Sequence, residues 1–67
     1  MTIGQKIKQL RKQRGLTQAR LGQEIFYSQR TVFQWEHGKC EPSLRAAKAL
    51  CKYFNITFEE LMKGVDE

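Results

Sequence analysis

The side chains best equipped for chemistry lie in one short run, Ser28 to Gly38, which reads SQRTVFQWEHG. Wound at about 100° per residue, it puts Gln29, Arg30, Phe33, Gln34 and His37 on one side and Val32 with Trp35 on the other. The inner pair anchors the helix and the outer groups are free to make contacts. Those outer groups suit recognition of a duplex: a glutamine amide can bond two adjacent edges of adenine, an arginine two of guanine, and a phenylalanine can touch the thymine methyl. An ordinary amphipathic helix with a wet polar side would look similar in isolation. The surrounding elements therefore decide between the two readings.

The inventory for an enzyme is thin. The only aspartate is Asp66 in the tail and the only histidine is His37 at a helix end, with no glycine-rich phosphate loop and no metal-ligand cluster. No cofactor and no metal are expected. Cys40 and Cys51 lack the spacing of a structural zinc site, and with no apolar leader segment near the N-terminus they are expected to be free thiols in the cytoplasm. No apolar run approaches the length of a membrane span, so no membrane partner is expected.

A chain of 67 residues has room for one domain, residues 1–67, and a core that small depends on consistent local signals. A hydrophobic content of 40% with a single proline argues against disorder. The net charge of +5 is laid out unevenly. Lys6, Lys8, Arg11, Lys12 and Arg14 crowd the start without an acid, whereas Glu59, Glu60, Asp66 and Glu67 gather at the end. A basic pole suits nucleic acid, although charge alone also fits membranes and acidic proteins.

The elements that must hold the outer residues can be read in order. Thr2 and Gln5 are spaced as a capping box for a first helix to about Arg14, with Ile3, Ile7 and Leu10 as its apolar stripe and Gly15 as its stop. Arg11 lies beside that stripe, partly buried and in need of a partner. TQARLGQEI forms a short second helix capped by Thr17, with Leu21 and Ile25 as its buried points. Gln18 falls in its first turn, where free amides and the helix dipole make a seat for phosphate. Gly22 costs about 1 kcal/mol relative to alanine in mid-helix, which implies that another helix approaches there.

Phe26 and Tyr27 connect to the third helix, which is capped by Ser28 and stapled by Tyr27 and Val32. A link of about three or four residues is the length of the turn in a helix-turn-helix unit, here spanning about residues 17–37. After the Lys39 to Pro42 loop, Ser43 caps a fourth helix with Leu44, Ala47, Leu50, Cys51 and Phe54 at helical spacing, and Asn55 ends it. Thr57 and Glu60 open a short fifth helix through about Lys63. The predicted fold is all-α, five helices without a strand.

These residues carry a pattern. LTQARLGQEIFYSQRTVFQWEHGKCEPS, from Leu16 to Ser43, resembles the helix-turn-helix of the lambda-repressor-like Cro/Xre family of DNA-binding regulators. The resemblance implies that Thr17 and Gln18 seat a phosphate and that Gln29, Arg30, Phe33 and Gln34 read the major groove. It implies backbone contacts from His37, Lys39 and Ser43, and an ion pair of Arg11 with Glu36 that ties the first helix to the third. Two positions depart from the family. Phe26 stands where glycine is usual, so either the turn differs or it is strained by about 1 to 3 kcal/mol. Gly22 stands where alanine is usual.

One reading helix covers only a few base pairs, so genomic specificity generally requires two. The expectation is a transcriptional repressor that binds a palindromic operator in double-stranded DNA as a homodimer, with half-sites about 34 Å apart. Phe58, Met62 and Val65 are the candidate dimer surface, because the fifth helix carries more apolar surface than its packing needs. The rival expectation is a protein-interaction module, such as an antitoxin or co-regulator, with a regulatory protein as partner.

Overall fold

A computed structural model of the chain describes residues Met1–Asp66 and contains five helices: α1 (Ile3–Gln13), α2 (Gln18–Ile25), α3 (Gln29–Glu36), α4 (Leu44–Phe54) and α5 (Phe58–Met62). Each begins on a hydroxyl. Thr2, Thr17, Ser28, Ser43 and Thr57 are the N-caps, and each side chain accepts from a backbone amide of the first turn. Thr2 with Gln5 and Thr57 with Glu60 complete reciprocal capping boxes. The all-α, five-helix architecture agrees with the sequence reading. No helix among the described residues is long and apolar enough to cross a membrane.

The core is formed by Ile7 of α1, Leu21 and Ile25 of α2, Val32 and Trp35 of α3, and Ala46, Leu50 and Phe54 of α4. Trp35 is closed over by Tyr27 in an edge-on contact, ring centroids 5.1 Å apart. Ala47, Leu50 and Phe54 of α4 are buried as expected, but the buried face is rotated from the predicted one. Leu44 is 67% exposed and Cys51 only half-buried, whereas Ala46 is fully buried. The buried line runs through Ala46, Leu50 and Phe54, each four residues on from the last, and Leu44 lies about 120° away from its centre.

Two glycines set distances between backbones. A Cβ at Gly4 would collide with the Trp35 carbonyl, so α1 can cross α3 this closely only with glycine there. A Cβ at Gly22 would meet the Tyr27 carbonyl, so the close approach is made by the turn into α3 and not by another helix. That turn is tight, with the Phe26 and Tyr27 amides both donating to the Gly22 carbonyl. Phe26 adopts the left-handed conformation, φ 67° and ψ 40°, and its ring is 92% exposed. Of the two alternatives the sequence left open, the turn keeps its shape and carries the strain.

Cationic groups in and around α1 tie it to the C-terminal part of the fold, while Lys8 and Lys12 are exposed. Arg14 donates to the Phe54 carbonyl at 3.0 Å and lies over the Phe54 and Tyr53 rings, covering the end of α4. Lys6 donates to the Lys63 carbonyl at 2.8 Å beyond α5. The N-terminal ammonium bonds the Gly64 carbonyl and the Asp66 carboxylate.

Candidate nucleic-acid interface

The site is built outward from a buried ion pair. Arg11 donates from Nε to Glu36 Oε2 at 2.7 Å and from Nη2 to Glu36 Oε1 at 3.0 Å, and its Nη1 donates to the Leu16 carbonyl at 2.7 Å. Both side chains are buried. Burial alone would raise the Glu36 carboxyl, but the hydrogen bonds from Arg11 and Gln18 and the charges of Arg11 and Lys8 hold it below the usual range. The pair ties α1, the start of α2 and the end of α3 into one frame. Such a pair orients elements more than it adds to stability.

A relay of amides leads from that carboxylate to the surface. Gln18 Nε2 donates to Glu36 Oε1 at 3.1 Å, and Gln29 Nε2 donates to Gln18 Oε1 at 2.9 Å. Because an ionised carboxylate can only accept, it dictates which way Gln18 faces; the Gln18 oxygen then dictates which way Gln29 faces. Gln29 is exposed and keeps its carbonyl oxygen and one N–H free of partners among the described residues. That is the acceptor and donor pair that adenine complements in the major groove.

Around Gln29 the outward face of α3 is open. Arg30 is exposed and has no ion-pair partner among the described residues. Phe33 is partly exposed and its ring stacks on His37, centroids 3.9 Å apart and planes 22° from parallel. His37 Nδ1 lies 3.0 Å from the Phe33 carbonyl. Gln34 is half-buried beside Cys40, whose thiol is 3.9 Å from the Gln34 side-chain oxygen. Thr17 accepts from the Arg20 amide, which leaves its hydroxyl hydrogen free to donate. Lys39 and Ser43 are exposed on either side of the loop after α3, and Ser43 also caps α4.

The candidate residues thus fall into groups. Gln18 and Gln29 are brought together, as are Phe33 and His37, whereas Phe58, Met62 and Val65 lie apart on a groove shared with Leu44, Ala47 and Leu61. The sequence reading treated Gln18 as a phosphate ligand alone and missed its bonds to Glu36 and Gln29. Those bonds come from three helices meeting, and only the coincidence of Gln18, Gln29 and Glu36 in one motif hints at them.

Comparison with known proteins places this geometry in a family. The family model described as helix-turn-helix matches residues 7–61. An HTH-type transcriptional activator of Enterococcus faecalis, BcrR, is 34% identical over 96% of the chain, which spans only 31% of that protein's length. An uncharacterized HTH-type transcriptional regulator of Archaeoglobus fulgidus is 34% identical over 92% of the chain and 89% of its own length. Among solved structures, the P22 c2 repressor in complex with a synthetic operator superposes with a TM-score of 0.86 at 31% identity, over 96% of this chain and 97% of that one. The fold, the buried pair beneath α3 and these relationships agree, and the chain belongs to the Cro/Xre-like helix-turn-helix family of transcriptional regulators.

Proposed function

We propose that the chain is a sequence-specific DNA-binding regulator that lays α3 in the major groove. Gln29 and Arg30 on its first turn, with Phe33 and Gln34 behind them, read base edges. Thr17 and Gln18 at the start of α2 and Lys39 and Ser43 after α3 hold the backbone. The observation that carries this reading is the relay from Glu36 through Gln18, which presents the Gln29 amide in one orientation before any DNA arrives. The likeness to a repressor solved on an operator supports it.

The proposed unit is a homodimer on a palindromic operator, acting as a repressor by occupancy. Leu44, Phe58 and Met62 are exposed along the groove between α4 and α5, with Val65 half-buried beside them. Joining two copies there would cover that surface and present two reading helices. A mobility-shift assay with genomic fragments at two salt concentrations tests the function. Preference for particular fragments at both salts supports it; equal binding of all fragments, or none, would leave a protein-interaction module as the better reading.

A further inference from the structure

The centre of the outward face of α3 is aromatic. At about 100° per residue Phe33 lies about 40° from Gln29 and about 60° from Arg30, between the two, with His37 one turn behind it. An exposed phenylalanine on a helix surface normally samples several rotamers. Here it does not stand free, because the His37 ring covers one of its faces at 3.9 Å. His37 is itself held: the Phe33 carbonyl can only accept, so Nδ1 carries the hydrogen of the 3.0 Å bond between them. The result is an imidazole fixed by its own helix and a phenyl ring fixed by the imidazole, with the other phenyl face and edge turned outward.

On the strength of the DNA-binding reading above, we infer that Phe33 is a specificity-determining contact to the 5-methyl group of thymine and that His37 is the positioning residue that holds Phe33 for it. Thymine's methyl is the one apolar group a base presents in the major groove, so an apolar reader placed among polar ones has a single complementary target there. Holding the ring beforehand removes the rotamer freedom that binding would otherwise freeze. His37 then acts through Phe33 and not through a phosphate.

The experiment uses the full chain and an operator obtained by selection from a random DNA pool. Each thymine in the operator is replaced singly by deoxyuridine, which removes the methyl and leaves the base-pairing edge intact. For the wild type, at least one replacement per half-site is expected to weaken binding about fourfold, the value of one buried carbon. In Phe33→Ala that methyl dependence disappears. In His37→Ala it falls below about twofold, and His37→Phe, which keeps a stackable ring but not the bond to the Phe33 carbonyl, restores it only in part. Circular dichroism verifies that each variant is folded.

A methyl dependence that persists in Phe33→Ala overturns the inference. So does a full methyl dependence in His37→Ala, since Phe33 would then need no support from the imidazole. A wild type that selects an operator but is indifferent to every methyl overturns this inference alone. A wild type that selects no sequence overturns the DNA-binding reading as well.

Discussion

Gln18 and Gln29 are joined by a 2.9 Å hydrogen bond between α2 and α3, and the Gln18 amide is anchored in turn on Glu36. The exposed amide of Gln29 thereby inherits its orientation from a buried charge. Gln18→Ala is expected to leave the fold intact but let the Gln29 amide rotate. The preference for adenine at its base pair should then fall by about 1 kcal/mol or more, measured against operators altered at that pair. An unchanged preference would show that Gln29 needs no support.

The Glu36 carboxylate makes stability depend on acid in a defined direction. Its native value lies below the ordinary carboxylate value of 4.5, so its contribution is complete above that value and is lost as pH falls through the lowered one. Glu60, held low by its hydrogen bonds to Thr57, titrates in the same direction. The difference between wild type and Glu36→Gln therefore isolates the buried group. Melting temperatures between about pH 6 and about pH 3 should fall less steeply in Glu36→Gln than in wild type; parallel curves would contradict the assignment.

Phe26 is strained and exposed at once. Phe26→Gly relieves the positive φ, and although glycine adds entropy to the unfolded chain, a net stabilisation of about 1 kcal/mol is expected. In a domain of this size that raises the melting temperature by about 4 to 8 °C. A fall would mean that the ring makes a stabilising contact after all.

Gly4→Ala is expected to act the other way. Alanine favours a helix by about 1 kcal/mol, but its methyl meets the Trp35 carbonyl, and forcing α1 away from α3 costs about 1 to 3 kcal/mol and disturbs the frame under the reading face. Thermal melting measures the balance; a higher melting temperature would show that the crossing can relax.

Local structure could be read from local signals. Each helix starts on a Ser or Thr with its first apolar residues close behind, and the outward placement of Gln29, Arg30 and Phe33 follows from helical period alone. What depends on two elements meeting was hidden. Nothing near Gly4 announces the Trp35 carbonyl, and Arg14 gives no sign that it will cover the end of α4. Leu44 is apolar and suitably spaced for the core, but the face that α4 buries runs through Ala46 instead. Small residues that permit contact carry little sequence signal, and large apolar ones left in water carry a misleading one.

The central claim is that the exposed end of α3 reads bases, and Arg30 tests it most directly. Binding of wild type and Arg30→Ala should be compared on the selected operator and on a set of single base-pair variants at fixed salt. The account predicts a loss of about 1 to 3 kcal/mol on the operator with preference relaxed at one guanine position and retained at the others. An equal loss on every sequence would contradict it and reduce Arg30 to a phosphate contact.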